Sequence, residues 1–222
     1  MKPSISGDDP AFAGQAVYSS AFLKAYDILI LGGNGILAWR CPPRHLVRMY
    51  DEHVSARHLD IGVGSGYLLD KCRWPASSPD ITLMDLNANS LHAAARRIGR
   101  YKPKTHQGNA LEPFGLPAGS FDSIGMNWLL HCMPGSIATK AVTFDHCKAV
   151  LAPGGVVFGS TVLNGGVPQT AYSRWMMKFL NGRGAFTNLD DDLATLQAEL
   201  DKRFSDVRID VVGSVAVFSA RD

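Results

Sequence analysis

Two apolar runs, each ending in an aspartate and joined through an alternating-glycine loop, constrain this chain more than any other feature. The first is His58-Leu59-Asp60-Ile61-Gly62-Val63-Gly64-Ser65-Gly66. The second, 25 residues beyond Asp60, is Ile81-Thr82-Leu83-Met84-Asp85. Glycines at every second position let the backbone turn tightly and let a bulky ligand lie against main-chain atoms, because no Cβ intrudes. An acid at the end of the following strand is the usual partner of a ribose diol. Together they point to an adenosyl cofactor.

The flanking pattern predicts an α/β protein with a mostly parallel sheet. Strands are expected at Arg57–Ile61, Asp80–Asp85, Lys104–Gln107, Phe121–Met126 and Val156–Val162. Helices are expected at Tyr67–Lys71, at Ala88–Ile98 with Asn87 as its cap, and at Ser136–Val150. Two more are expected at Pro168–Leu180 and from Leu189 to Phe204, the last capped by Asn188. Pro42-Pro43 opens a helix running through Arg44 to His53. Asp206–Val212 and Val215–Ser219 around Gly213 read as a closing antiparallel hairpin. Residues 1–14 read as a loose arm, and Ala16–Leu31 as an apolar run ending at Gly32-Gly33-Asn34-Gly35.

That earlier glycine cluster is a competitor. Gly33-x-Gly35-x-x-Ala38 fits the dinucleotide fingerprint, which would make the chain a nicotinamide-dependent oxidoreductase. The fingerprint needs a long helix after its glycines, and Pro42-Pro43 arrives four residues after Ala38. In the second loop, Tyr67 occupies the place of the third glycine of that fingerprint, and no Lys-Ser/Thr follows to make a P-loop. An acid followed by G-x-G-x-G remains.

These residues resemble the class I S-adenosylmethionine (SAM) dependent methyltransferases. Leu59–Gly66 is similar to their first motif, and Met84-Asp85-Leu86-Asn87 to their ribose-binding strand end. Gly108-Asn109-Ala110, Leu116-Pro117 and Ser120-Phe121-Asp122 resemble their adenine loop and fourth strand, and Pro153-Gly154-Gly155 the approach to their fifth. The resemblance covers about residues 55–220. It implies a Rossmann-like seven-stranded mixed sheet, mostly parallel with an antiparallel C-terminal hairpin strand, helices on both faces and an N-terminal helical cap. Residues 1–54 would be the arm and cap, and 55–222 the SAM-binding core.

By that resemblance Gly62, Gly64 and Gly66 pack against the methionine half of the cofactor, and Asp60 orders the loop or reaches the amino group through water. Asp85 takes the ribose hydroxyls, Leu86 lies against the adenine, and Asn109 and Ala110 border it. Asn109 stands where an aspartate is common, and its amide oxygen still accepts a hydrogen bond. The segment that ends strand four, Asn127-Trp128-Leu129-Leu130-His131-Cys132-Met133-Pro134, faces the methyl group and the acceptor. His131 is the candidate general base, set against a packing or orienting role, and Asn127 a candidate holder of the methionine amino group. Aromatic faces attract a sulfonium, so Tyr18, Tyr26 and Trp39 are candidate lid residues; Trp128, Tyr172, Trp175 and Met176 are candidates for an acceptor pocket.

The reaction implied is methyl transfer to a small-molecule acceptor. A non-methylating use of SAM, such as cyclisation with release of methylthioadenosine, and a non-catalytic binding protein stay open. Net charge of +2 and a pI of about 8.4 are far from a nucleic-acid-binding footprint. Cys41, Cys72, Cys132 and Cys147 show neither C-x-x-C nor metal-ligand spacing, so no metal is expected. Scattered thiols without an apolar leader or membrane-length span fit a cytoplasmic protein.

Overall fold

The structure, a computed structural model, describes Gly33 and residues 35–222. Seven strands form one sheet: β1 (Arg57–Ile61), β2 (Asp80–Asp85), β3 (Lys104–Gln107), β4 (Phe121–Asn127), β5 (Leu151–Val162), β6 (Asp206–Val212) and β7 (Val215–Arg221). Their order is β3-β2-β1-β4-β5-β7-β6. Only β7 runs against its neighbours, pairing antiparallel with both β5 and β6. The chain starts in the middle of the sheet, moves out to β3, then returns across β1 to β4. The strand order therefore reverses between β1 and β4, and the crevice beyond their carboxyl ends is where such a sheet receives a ligand.

Helices cover both faces, so the central strands are apolar on both sides. One face packs Leu46, Met49 and Tyr50 of α1 (Pro43–His53), α2 (Tyr67–Lys71) and Leu91 and Ala94 of α3 (Ala88–Arg97) against Ile81, Leu83 and Phe158. The other packs α4 (Ile137–Lys140), α5 (Val142–Val150) and α7 (Leu193–Asp201) against Leu59, Ile61, Ile124, Val157 and Phe218. α6 (Ala171–Gly182) contributes Met176 and Met177 to the first face.

Several expected boundaries hold for the expected reasons. Pro43 opens α1, where its missing N–H costs nothing. Asn87 caps α3, its side chain accepting from the Asn89 N–H at 2.8 Å. Others move. The helix expected over Ser136–Val150 breaks at Ala141 into α4 and α5. β5 begins at Leu151, ahead of Pro153-Gly154-Gly155, and absorbs those residues as a register shift between Phe121 and Ser123. Asn188 does not cap α7. Its amide instead donates to the Val162 carbonyl at 2.8 Å, and Asp192 caps the helix by accepting from Thr195 N–H at 2.8 Å.

The apolar run Ala16–Leu31 and the expected lid residues Tyr18 and Tyr26 lie outside the described residues, as does most of the N-terminal cap. Among the described residues no helix is long and apolar enough to cross a membrane, and no cluster of His, Cys, Asp and Glu is arranged to hold a metal ion. All four cysteines are unpaired.

Candidate active site

The glycine loop leaves β1 with Gly62, Gly64 and Gly66 all in the left-handed region, at φ of +72°, +52° and +74°. A Cβ on Gly62 would stand 2.8 Å from Leu129 Cδ1, and one on Gly66 2.9 Å from the Ala94 backbone. Glycine is therefore required at both positions, by backbone angle and by space. The loop is pinned by Gly62 N–H to the Met84 carbonyl and by Gly66 N–H to the Val63 carbonyl, both 2.9 Å. Arg97 of α3 donates to Ser65 Oγ at 3.0 Å from the far side.

Around this loop, at the carboxyl ends of β1, β2 and β4, lies a cavity of about 790 Å³ with its open mouth included. Gly62, Gly64, Asp85, Leu86, Asn109, Ala110, Asn127 and Trp128 line it. An adjoining lobe is lined by Asp60, Gly64, Gly66 and again Asn127. The sequence candidates for the cofactor cradle thus converge on one continuous crevice.

Asp85 sits where the loop turns back. Its carboxylate accepts from Asn87 N–H at 2.8 Å and from the Val63 and Gly64 amides. Burial outweighs those donors and pushes its pKa up to about 6. Asn109 accepts from Leu111 N–H at 3.0 Å, a turn-forming bond that leaves its second lone pair for a ligand. Asn127 ends β4 with its amide oxygen bonded by the Ser160 hydroxyl.

Asp60 belongs to a buried network that its neighbours in sequence only half disclose. Tyr50 donates to its Oδ2 at 2.7 Å, and His58 Nε2 lies 3.3 Å from the same oxygen. His58 Nδ1 in turn meets Ser123 Oγ at 2.8 Å. Gly125, paired with Asp60 across β1 and β4, leaves the room: a Cβ there would stand 2.9 Å from Asp60 Oδ2. The signal for His58 was in the sequence, since residues i and i+2 of a strand share a face. Tyr50, ten residues away on a helix, carried none.

Five expected residues sit elsewhere. His131 is buried off the cavity wall with its ring 4.3 Å from Phe186, and its Nδ1 accepts the Val162 N–H at 3.2 Å. That bond uses the one lone pair of the neutral ring, and burial lowers its pKa to about 3. A general base needs that lone pair free, so His131 is corrected to an orienting residue of the interior. Trp39 is corrected likewise. It is buried, stacks on Phe186 at 5.8 Å, and does not line the cavity. Tyr172 and Trp175 stack on each other on the exposed side of α6, and Met176 points into the core. None of these three lines the crevice. Helical spacing puts Trp175 and Met176 on different sides of one helix, and only packing decides which side meets solvent.

Cys132, Met133 and Pro134, the end of the segment expected to face the acceptor, line the cavity. A short 3₁₀ turn, Leu130–Cys132, leads into Met133 and Pro134 and carries the buried Leu130 and His131.

Among the described residues the charged side chains lining the two lobes are Asp60 and Asp85, both acidic, with no Lys or Arg. An acidic crevice opposes a pyrophosphate and suits a ligand bearing an ammonium or sulfonium. The methyltransferase domain family matches residues 59–157 of this chain. Over 213 residues, 96% of this chain and 93% of the relative, it is 45% identical to a demethylluteothin O-methyltransferase of Streptomyces thioluteus. The chain belongs to the class I SAM-dependent methyltransferases. A further relative of this methyltransferase, an O-methyltransferase of the physcion biosynthesis cluster of Aspergillus chevalieri, is 37% identical over 95% of this chain and 96% of its own. The fold is also that of the N-methyltransferase NodS of Bradyrhizobium japonicum, solved with S-adenosyl-L-homocysteine. The TM-score is 0.56 at 16% identity, covering 81% of this chain and 84% of that one.

Proposed function

We propose that this methyltransferase is a cytoplasmic enzyme that transfers the methyl group of SAM to an oxygen of a small-molecule acceptor. The acidic crevice between the ends of β1, β2 and β4 carries this reading, together with the O-methyltransferase names of the two relatives. The residues fit the cofactor. Asp85 would accept the ribose hydroxyls, Leu86, Asn109 and Ala110 would border the adenine, and Gly62, Gly64 and Gly66 would let the methionine half lie on the backbone. Asp60 and Asn127 would face the methionine ammonium, and residues 1–54 would close over the site as arm and cap.

When bound, SAM supplies an activated methyl group. The chain's own work is alignment and exclusion of water, which can supply much of the rate of a transfer reaction without covalent catalysis. Trp128 would border the acceptor.

Calorimetric titration with SAM and with S-adenosylhomocysteine tests the cradle, with saturable binding expected for both and loss in Asp85→Ala. The nucleoside released on turnover tests the chemistry: S-adenosylhomocysteine is expected, and methylthioadenosine would overturn methyl transfer.

A further inference from the structure

His58 of β1 and Ser123 of β4 are register partners, and the hydrogen bonds that join them to Asp60 have a direction. The Ser55 N–H donates to Ser123 Oγ at 2.9 Å, so that hydroxyl keeps its own proton to give. The acceptor it meets is His58 Nδ1, at 2.8 Å. The ring is then protonated at Nε2, and that N–H is the donor facing Asp60 Oδ2 at 3.3 Å. The opposite tautomer would leave the Ser123 proton without an acceptor among the described residues. It would also set a bare lone pair against a carboxylate oxygen. Ser123 and His58 have no exposed surface, so the row is no nucleophilic triad: a substrate cannot reach the serine.

The row ends on one oxygen of Asp60. Oδ2 takes the His58 N–H and, at 2.7 Å, the Tyr50 hydroxyl. Oδ1 makes no hydrogen bond among the described residues, yet it is not fully buried. Asp60 is 3% exposed and lines the glycine-loop lobe, so the surface that Oδ1 keeps opens there. Two donors from separate elements, His58 on β1 and Tyr50 on α1, fix the plane of the carboxylate. The plane in turn fixes where Oδ1 points.

We propose that His58 and Ser123 are positioning residues for the cofactor. Ser123 imposes the Nε2–H tautomer, and His58 in that form holds Asp60 so that Oδ1 accepts from the ammonium of the ligand's amino-acid half. This rests on the methyltransferase reading above. A cation is the ligand group that an acidic crevice favours, and its hydrogen bond to a carboxylate is of the strong, charge-assisted kind.

The test is calorimetric titration of the full chain with two ligands, S-adenosylhomocysteine and 5′-methylthioadenosine, which shares the nucleoside and lacks the amino-acid half. His58→Phe keeps an aromatic ring against Trp74 and Phe158 but removes the donor. It is expected to bind S-adenosylhomocysteine about tenfold more weakly and methylthioadenosine as the wild type does, which also shows that it folds. Ser123→Ala, which frees the ring to adopt the other tautomer, is expected to lose affinity for S-adenosylhomocysteine alone. His58→Gln, whose amide offers one acceptor and one donor, should recover most of the affinity. Equal losses for both ligands, unchanged S-adenosylhomocysteine binding in His58→Phe or Ser123→Ala, or no recovery in His58→Gln would each overturn the proposal. The glutamine arm decides the donor claim even where methylthioadenosine binds too weakly to measure. Failure of the wild type to bind S-adenosylhomocysteine would instead remove the methyltransferase reading itself.

Discussion

Tyr50 of α1 donates its phenol proton to Oδ2 of Asp60 across 2.7 Å, both groups buried, and so ties a helix before the sheet to the acid that precedes the glycine loop. The bond is what lets a carboxylate remain in the interior beside the cavity. Without it, Asp60 would keep only the 3.3 Å contact to His58 on that oxygen. Tyr50→Phe is therefore expected to cost roughly 1–3 kcal/mol of stability, the range for stranding a buried acceptor. It should also weaken SAM binding. Thermal unfolding and calorimetric titration of the variant check both effects.

Asp85 sets a pH dependence for cofactor binding. Its pKa is raised to about 6, so the carboxylate proposed to accept the two ribose hydroxyls is fully ionised only above that pH. SAM affinity should be level above about pH 7 and fall by about tenfold per unit once the pH is well below 6. In Asp85→Asn the profile should be flat and the affinity lower at neutral pH, by roughly 10- to 100-fold. Titrations of both proteins across this range decide it.

His131 should make the fold acid-labile without shaping the activity profile. Its folded pKa is lowered to about 3 from an ordinary value of 6.5, so the stability it confers is complete above 6.5 and is lost as the pH falls toward 3. One proton taken up only on unfolding gives a slope of about 1.4 kcal/mol per pH unit within that window. His131→Gln should show a shallower fall of Tm between those limits. A kcat/KM profile whose inflection disappears in this variant would restore His131 as a base.

Lys140 and Asp191 form an ion pair with no exposed side-chain surface, Nζ to Oδ2 at 2.6 Å, while Lys140 also donates to the Thr187 carbonyl at 2.8 Å. The pair joins α4 to the segment leading into α7. Burial lowers the lysine pKa and raises that of the aspartate, which marks the desolvation cost each group carries. Lys140→Met leaves the carboxylate unpaired and is expected to cost about 3–5 kcal/mol. The double variant Lys140→Met/Asp191→Leu should recover most of it, which chemical denaturation of the two variants measures.

The geometry of the candidate cofactor cradle was legible because its requirements are local. Left-handed φ at Gly62, Gly64 and Gly66, an acid at the end of β2 and a capping asparagine at position 87 each depend on a few adjacent residues. Asp60, Asp85, Asn109 and Asn127 then reach one crevice because parallel strands deliver their carboxyl ends to one edge. Asn188 shows where local rules stop. Its position favoured a helix cap, yet a long-range bond to Val162 claimed the side chain, and Asp192, four residues later, capped the helix instead.

The sequence by itself determined the sheet, the glycine loop and the pair of acids, because strand periodicity and glycine stereochemistry act over short spans. Only the tertiary structure decided what surrounds the reacting end. His131 and Trp128 lie three residues apart after β4, and either could have faced a ligand. The bond from Val162 N–H drew the imidazole inward, while Trp128, held at φ +53° with its N–H on the Ser160 carbonyl, lines the cavity. Which of two neighbouring side chains meets a cavity depends on hydrogen bonds made by residues some thirty positions away.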